Sequence, residues 1–559
     1  MVKITIDEKQ FEVENNLTII QAARQNGIHI PHFCWHPKLS VSGNCRVCLV
    51  EVEKMPKLVI ACATQVTDGM IIQTNSGRVV KARNAVLEFI LINHPLDCPI
   101  CDEAGECKLQ DYAYKYSVGE SRFEFDKVRK PKRVELGPNV MLDTERCIMC
   151  SRCIRFCDEI VNKPQLVFTQ RGDHVELTTF QGQKLDNDYS MNVIDLCPVG
   201  ALTSKDFRFK ARVWDMSATD SVCVGCSRGC NTKMWVRNNE ILRLTPRFNS
   251  SVNQYWMCDH GRLNSFKNVN AANRVNAPMF RKDGMLIDVG WDEAMARATS
   301  ELKSFKKNEI AAFGSAHSTN EDNYLLAKLM NHMGVHRIDF VPHIEDAKQD
   351  SLLIKADKTP NSTGARLVGI KSDTDEYSYR AIIDDIRNGK IKALYVLDDD
   401  IAVVPEIAEV LPKLEFLVIH ASNENQTMKY ADVVFASSTY AEKHGTFTNF
   451  EGRVQKNKPA VSTLEHDRVL DGMPLSRLDR FGAHNDRWTK GIKRDTRASW
   501  RIINSIAAIL GAKWKYNKCE DVFNEIASTN SSFYGLTYEN IGVTGAMIQK
   551  SQEQVTVRS

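Results

Sequence analysis

Two stretches decide how the first half of this chain folds: HPLDCPICDEAGEC, residues 94–107, and RCIMCSRCIRFCDE, residues 146–159. Both contain cysteines at C-x2-C spacing, which directs several thiols toward one centre. The chain has 17 cysteines, and all except Cys519 lie before residue 259. Disulfide frameworks are typical of short secreted chains, and scattered buried cysteines do not come in such pairs. The spacing therefore predicts that thiolates bind metal in several separate sets.

The bulk properties narrow the class of protein. A length of 559 residues predicts three to five domains, and 43% hydrophobic residues are ordinary for a folded chain. The net charge of +3 argues against a nucleic-acid or anionic-membrane surface. No apolar run approaches the ~20 residues of a spanning helix, and the N-terminus MVKITIDEKQ lacks the order of a signal peptide. We expect a soluble protein without direct membrane insertion and without nucleic acid.

The first predicted ligand set lies in residues 1–78. Residues 2–13 alternate like a β-hairpin, and Thr18 with Gln21 predicts a capped helix that ends at Asn26-Gly27. Strand, strand, helix and cysteine loop is the order of plant-type ferredoxins. Four thiolates suit a [2Fe–2S] cluster, although the gaps around the central pair depart from the plant spacing. The ligands are Cys34, Cys45, Cys48 and Cys62.

The second set lies in residues 79–118, where an apolar helix over Val79–Asn93 leads into the cysteine loop. The predicted [4Fe–4S] ligands are His94, Cys98, Cys101 and Cys107. A neutral imidazole in place of one thiolate lowers the negative charge on such a cluster. Three cysteines and a histidine also make a structural zinc set, which stays open as the alternative.

The third set lies in residues 119–215, a segment with little regular periodicity. Its run C-x2-C-x2-C-x3-C is similar to bacterial ferredoxins, but no second run follows and the Cys-Pro dipeptide comes at Cys197-Pro198. We therefore leave Cys157 as a buried thiol that does not bind metal. The predicted [4Fe–4S] ligands are Cys147, Cys150, Cys153 and Cys197.

The fourth set lies in residues 216–272 and has the spacing C-x2-C-x3-C with a distant fourth cysteine. Its predicted [4Fe–4S] ligands are Cys223, Cys226, Cys230 and Cys258.

Residues 273–559 differ from the first half of the chain, because strand-like runs alternate there with helical patterns such as Glu321–Met333. That alternation predicts an α/β domain with a mainly parallel sheet, and the basic stretch around residues 475–501 is expected to be a solvated face. The strand-like runs are Ile310–Ser315, Ile391–Leu397, Phe416–His420 and Asp432–Ala436.

These four sets, in this order, resemble the large iron–sulfur subunit of respiratory complex I, the G-type subunit of NADH:quinone oxidoreductase. The fourth set and the α/β region resemble the molybdopterin oxidoreductases, notably at WDEA from Trp291 and at YADVVFASSTYAEKHGTFTNFEGRVQ, residues 430–455. The resemblance implies a multidomain α+β and α/β fold: a ferredoxin domain, two [4Fe–4S] modules, and a molybdopterin-oxidoreductase-like end.

The resemblance also implies a function, electron transfer within a proton-translocating NADH:quinone oxidoreductase. Electrons would come from an FMN- and NADH-binding subunit and a small [2Fe–2S] subunit. They would pass the Cys34, Cys147 and His94 sets in that order, then leave to an 8Fe ferredoxin-like subunit near the quinone and the membrane-arm subunits. The Cys223 set would lie off this path. The complex would place this chain peripherally, on the cytoplasmic side of the inner membrane. The chain itself has no nucleotide motif, so we expect no catalytic residue in it.

Several alternatives stay open at this point. No cysteine lies between Cys258 and Cys519 to ligate molybdenum, and His260 stands where catalytic molybdopterin enzymes have a lysine, so we expect no molybdopterin. Iron-only hydrogenases need further cysteine motifs, which residues 259–518 lack. An iron–sulfur subunit of an NAD-linked formate dehydrogenase or of a diaphorase-linked hydrogenase would share the cluster sets. A zinc scaffold would be colourless and without an EPR signal.

Overall fold

The structure is a computed structural model, and it describes residues 1–117, 119–370, 377–465 and 492–549. The chain forms two compact units, Met1–Trp214 and Asp215–Ser559. The finer division into five domains stays a prediction. Most of the predicted basic face around residues 475–501 lies outside the described residues.

The first unit begins with the predicted hairpin, which belongs to a five-stranded sheet of order β2-β1-β5-β3-β4. Asp7 and Glu8 make its turn with left-handed φ angles of 46° and 70°. The Thr18 amide donates to Gln21 Oε1 over 2.9 Å, which is the predicted capping contact, and the helix that follows packs its apolar side on the sheet. The strands are β1 (Val2–Ile6), β2 (Lys9–Val13), β3 (Leu49–Val52), β4 (Val59–Ile60) and β5 (Met70–Gln73).

The rest of the first unit has more regular structure than its sequence indicates. One three-stranded antiparallel sheet has the order β10-β7-β6, and a separate hairpin joins β8 to β9. The strands are β6 (Val134–Glu135), β7 (Val140–Leu142), β8 (Leu166–Thr169), β9 (Glu176–Thr179) and β10 (Leu202–Ser204). The helices of this unit are α1 (Ile19–Gln25), α2 (Gly77–Leu91), α3 (Lys108–Tyr116), α4 (Arg152–Arg155) and α5 (Asn192–Leu196). These strands have two to four residues, so no periodicity could reveal them.

The second unit is built around a seven-stranded sheet of order β15-β14-β20-β19-β18-β16-β17. Its five strands from β16 to β20 run parallel, as the alternating pattern predicts, and β14 joins β20 antiparallel. Two three-stranded antiparallel sheets, β11-β12-β13 and β21-β22-β23, complete this unit. The strands are β11 (Ser217–Val222), β12 (Asn231–Arg237), β13 (Glu240–Pro246), β14 (Met279–Lys282), β15 (Met285–Asp288), β16 (Ile310–Gly314), β17 (Ile338–Phe340), β18 (Ala393–Val396), β19 (Phe416–Ala421), β20 (Val433–Ala436), β21 (Gly445–Thr448), β22 (Arg453–Asn457) and β23 (Ala546–Met547).

Most helices of the second unit contribute buried side chains to the apolar core around the seven-stranded sheet. The Trp291 ring, at the start of the helix Trp291–Ser304, stacks on Phe435 of β20 with ring centroids 6.3 Å apart. The helix predicted over Glu321–Met333 ends at Gly334, whose left-handed φ of 72° would strain a residue with a side chain. The helices are α6 (Asp259–Asn264), α7 (Lys267–Asn270), α8 (Trp291–Ser304), α9 (Asn320–Met333), α10 (Ser362–Leu367), α11 (Tyr379–Arg387), α12 (Pro405–Val410), α13 (Ser499–Ile509), α14 (Cys519–Thr529) and α15 (Tyr538–Ile541).

Among the residues that the structure describes, none of the helices combines the length and the apolar character needed to cross a membrane.

Candidate metal centres

The first predicted set converges from two places: Cys34, Cys45 and Cys48 lie between α1 and β3, and Cys62 lies just after β4. The Cys34 side chain contacts those of Cys45 and Cys62, and the Cys48 side chain also contacts Cys62. The backbone amide of Cys34 points at Cys45 Sγ over 3.5 Å. Gly43 supplies the left-handed turn before Cys45, with φ of 65°. Four thiols that face one another next to an aimed amide are what an anionic cluster requires.

The second predicted set surrounds one small cavity, whose wall includes Arg146 and Gly200 in addition to the donors. Cys98 and Cys101 lie on a turn in which the Cys101 amide donates to the Asp97 carbonyl over 2.7 Å. The four donors on this wall are His94, Cys98, Cys101 and Cys107.

The His94 ring is ready to act as a ligand. Its Nδ1 atom is buried and has no hydrogen-bond partner. Burial, with a smaller contribution from the Arg146 guanidinium, lowers the pKa of His94 to about 4. The imidazole is therefore neutral at physiological pH, and an unpaired buried nitrogen costs free energy unless something binds it. Metal ligation fits this orphaned nitrogen.

The third predicted set surrounds a second cavity, otherwise walled by apolar side chains such as Phe168 and Leu177. Met149 and Ser151 hold left-handed backbone angles of 54° and 60°, which turn the loop back on itself between the cysteines. The four cysteines on this wall are Cys147, Cys150, Cys153 and Cys197.

Cys157 does not lie on that wall. It is buried on a π-helical turn, Phe156–Ile160, directly after α4. Burial raises the pKa of the Cys157 thiol to about 12, so it stays protonated. This position agrees with the interpretation of Cys157 as a thiol that does not bind metal, and that interpretation stays a prediction.

The fourth predicted set lies between the end of β11 and the start of β12, with Cys258 directly before α6. The Cys223 amide donates to the Cys230 carbonyl over 2.8 Å, and the Gly261 amide donates to Cys258 Sγ over 3.3 Å. A Cβ on Gly261 would lie 2.9 Å from Cys223 Sγ, so glycine leaves room there for the sulfurs. Cys230 lies close enough to the thiols of Cys223, Cys226 and Cys258 for each to raise its pKa, after the larger effect of burial.

The first and third sets are neighbours within the first unit. Arg155 Nη2 donates to the Cys34 carbonyl over 2.5 Å and to the Cys150 carbonyl over 3.3 Å. Asn44 Nδ2 donates to the Met149 carbonyl over 2.8 Å. One guanidinium thus joins a backbone carbonyl of each set.

The second and third sets are also neighbours. Cys197 faces the third cavity, whereas Gly200, three residues on, lies on the wall of the second. The Lys108 amide, next to Cys107, donates to the Pro198 carbonyl over 3.2 Å. The segment from Cys197 to Gly200 therefore lies between the two cavities.

Profiles of five known domain families match consecutive parts of the chain. Residues 1–77 match the 2Fe-2S iron-sulfur cluster binding domain, and residues 83–122 match the NADH-ubiquinone oxidoreductase-G iron-sulfur binding region. Residues 137–203 match a ferredoxin-like domain of NADH-quinone oxidoreductase, that of its third subunit. Residues 216–267 match the molybdopterin oxidoreductase Fe4S4 domain, and residues 274–371 and 361–468 match molybdopterin oxidoreductase. The chain therefore has iron–sulfur binding domains of both the 2Fe-2S and the 4Fe-4S kind.

Two curated relatives match the greater part of the chain. The G subunit of NADH-quinone oxidoreductase from Rickettsia conorii is 42% identical over 334 residues, 60% of this chain and 49% of the relative. The NADH-ubiquinone oxidoreductase 75 kDa subunit of Reclinomonas americana is 41% identical over 366 residues, 64% of this chain and 52% of the relative. This chain is related to these two oxidoreductase subunits. It spans about half the length of the curated relatives it matches.

One solved structure also resembles the chain, the crystal structure of an NAD+-reducing [NiFe]-hydrogenase in the H2-reduced state. The match has 30% identity and a TM-score of 0.34, and covers 38% of this chain and 91% of that one.

The sequence did not reveal the side chains of this chain that connect one predicted ligand set to another. Arg152 is buried, donates to the Trp35 carbonyl over 2.6 Å and to the Leu196 carbonyl over 3.2 Å, and thus lies between the first and third sets. Arg152 and Arg155 are visible in the sequence as basic residues beside cysteines, but their partners lie more than a hundred residues away for the first set. Gly200 carries no signal in the sequence, because its role depends on a sulfur from another loop.

Proposed function

We propose that this chain is the iron–sulfur electron-transfer subunit of an NADH:quinone oxidoreductase. It would relay electrons from an NADH- and FMN-binding subunit toward the subunits that reduce quinone. When bound, iron–sulfur clusters accept and release single electrons. The ligands would be the sixteen predicted cysteine and histidine side chains, holding one [2Fe–2S] and three [4Fe–4S] clusters. No molybdopterin is included in this proposal.

The observation that carries the proposal is the adjacency of three ligand sets in the first unit. Arg155 joins the Cys34 loop to the Cys150 loop, and the segment from Cys197 to Gly200 joins the third cavity to the second. The third set therefore has contacts on both sides. This arrangement supports a single path in which the Cys34 set comes first, the Cys147 set lies in the middle and the His94 set is the exit.

The protein's own side chains would prepare this path for negative charge. Four thiolates around ferric and ferrous iron leave a cluster anionic, and a nearby fixed cation stabilises that charge in a buried site. Arg152 is such a cation, because it is buried with its guanidinium near Cys150, Cys197 and Cys34. The neutral His94 ring removes one negative charge from the exit set. Both features would favour the reduced state relative to an all-thiolate site without cations.

The finer assignments complete the proposal. The partners would be an FMN subunit, a small [2Fe–2S] subunit, an 8Fe ferredoxin-like subunit and the membrane arm, with this chain peripheral on the cytoplasmic side of the inner membrane. The Cys223 set lies in the second unit, next to the molybdopterin-oxidoreductase-like fold. We place it off the main path, as a structural centre.

Co-purification tests the function. An affinity-tagged chain is expressed in its own host, the membranes are solubilised gently, and the isolated complex is analysed for subunits, flavin and metals. We expect FMN, membrane subunits and NADH-dependent quinone reduction to travel with the chain. Molybdenum or tungsten together with formate-dependent dye reduction, or hydrogen-dependent dye reduction, would contradict the proposal and favour a soluble NAD-linked dehydrogenase or hydrogenase.

A further inference from the structure

A large cavity lies in the second unit, and its wall includes Val224, next to Cys223. Its volume is about 440 Å³, and its wall includes His317, His343 and Asp399. These residues follow β16, β17 and β18, three adjacent parallel strands of the seven-stranded sheet. Ligands of open parallel sheets bind outside the carboxyl ends of the strands. The cavity therefore opens where this fold positions functional side chains.

The three side chains form a compact donor set. One ligand atom from each lies within 4.8 Å of the others. His343 Nε2 is 3.1 Å from both Asp399 carboxylate oxygens, and the rings of His317 and His343 have centroids 5.1 Å apart. Donors around a tetrahedral Zn²⁺ ion, bound at ~2.0–2.1 Å, are about 3.3 Å apart. The His343 and Asp399 atoms already have that separation, and His317 would need to move by at most about 1.5 Å.

His317 and Asp399 differ in their exposure to solvent. The His317 side chain is solvent-accessible inside the cavity, whereas the Asp399 side chain is buried. The buried Asp399 carboxylate contacts the His343 imidazole, and the His317 imidazole lies beside them on the cavity wall, which brings three donors together. Two imidazoles and a carboxylate are the donor set of divalent transition metals, and three protein donors leave a coordination position for water or a small anion.

The charges around the cavity favour a cation. Four carboxylates lie on its wall, those of Asp398, Asp399, Asp400 and Glu424, against a single ammonium group, that of Lys443. Lys443 is itself bound to Asp322 over 2.7 Å and to Asp398 over 3.6 Å, so its charge is already balanced there. The Asp400 carboxylate accepts the backbone amides of Gln426 and Thr427. Within the described chain, the ionic partner of Asp399 is His343.

We propose that His317, His343 and Asp399 form a binding site for one divalent transition-metal ion of the zinc class, separate from the iron–sulfur ligand sets. The site does not rest on the proposed electron-transfer function, because none of its donors belongs to a cysteine set. A metal here would pin together the loops that follow three neighbouring strands, with one coordination position open to the cavity.

Zinc binding to the iron-loaded full chain tests this site. The chain and its variants are dialysed anaerobically against chelator-buffered Zn²⁺, and zinc and iron per chain are measured by mass spectrometry. We expect the wild type to hold one zinc at unchanged iron content. His317→Ala should weaken zinc binding by at least about 100-fold, because changes merely to groups that support metal ligands cost 10–100-fold. His336→Ala is the matched control, since His336 is an exposed histidine of the same unit.

Two further measurements keep the outcome decisive. X-ray absorption spectroscopy at the zinc edge should show nitrogen and oxygen neighbours at ~2.0–2.1 Å from the zinc. Sulfur neighbours at ~2.3 Å would instead place the zinc on cysteines and overturn the proposal. Asp399→Asn keeps the side-chain shape and should also weaken binding, which guards against a folding defect in one variant. An equal zinc content in the wild type, His317→Ala and Asp399→Asn would refute the site, and would leave His343 and Asp399 as an ion pair only.

Discussion

Gly200→Ala should remove one iron–sulfur centre and leave the others in place. A Cβ atom on Gly200 would lie 2.3 Å from Cys101 Sγ and 3.0 Å from Glu103 Cβ. Ordinary contacts of this kind are ~3.5–4.0 Å long, so the methyl group overlaps the sulfur by more than about 1 Å. The Cys101 backbone cannot easily retreat, because its amide donates to the Asp97 carbonyl over 2.7 Å and its carbonyl accepts Arg212. The ligand sulfur must therefore leave its place.

The magnitude follows from the composition of the proposed centres. One two-iron and three four-iron clusters give about fourteen iron atoms per chain, and losing the His94 centre leaves about ten. The overlap also adds about 1–3 kcal/mol of strain to the folded unit. Gly77→Ala is the matched control, because a Cβ there meets nothing within 4 Å and the residue begins α2.

Iron analysis and EPR of the dithionite-reduced chain check this prediction. We expect Gly200→Ala to lose one [4Fe–4S] signal and about four iron atoms, while Gly77→Ala keeps both. A Gly200→Ala protein with full iron and an unchanged spectrum would show that Cys101 does not hold a cluster at this place.

Three other predictions use single substitutions. His94→Cys should keep a cluster but lower its midpoint potential, since a thiolate adds a negative charge; an EPR redox titration without any shift would rule out His94 as a ligand. Cys157→Ala should leave the iron content unchanged, and a loss of about four iron atoms would overturn the choice of Cys197 as the fourth ligand. Glu321→Gln should alter the pH dependence of stability, because burial raises the pKa of Glu321 from 4.5 to about 7. The folded state keeps a proton that the unfolded state loses, so the Glu321 contribution to stability is complete below about pH 4.5 and is lost as the pH rises to about 7. Between pH 5 and pH 8, the free energy of unfolding of the variant should fall by about 3 kcal/mol less than that of the wild type, as measured by urea unfolding. The same fall in both proteins would contradict the raised pKa of Glu321.

The long elements and the parallel sheet could be predicted from the sequence, because their apolar patterns extend over many residues. The helix at Asn320–Met333 has both a capping residue at Thr319 and a glycine stop, and the structure begins and ends it within a residue of the prediction. The hairpin at Val2–Val13 is set by its alternation and its polar turn. By contrast, the strands of residues 119–215 have only two to four residues, so they are too short for a pattern to reveal them.

The grouping of cysteines within each loop could be predicted, because local spacing fixes which cysteines lie together, and their role as metal ligands stays a prediction. What lies between the sets could not, since Arg152, Arg155 and Gly200 act through backbone groups and sulfurs of distant segments. The cavity donors His317 and His343 gave no signal either, because each is a lone histidine until the sheet brings their strands together. Topology, and not local sequence, determines such contacts.

In the proposed path of electrons, the Cys147 set lies between the other two sets of the first unit. Freeze-quench EPR of the isolated complex, after mixing with NADH, tests this order in Cys150→Ala, with the iron content confirming that one four-iron centre is lost. We predict that the [2Fe–2S] signal of the Cys34 set appears at the wild-type rate while the His94 centre stays oxidised. Reduction of the His94 centre at the wild-type rate in this variant would contradict the account.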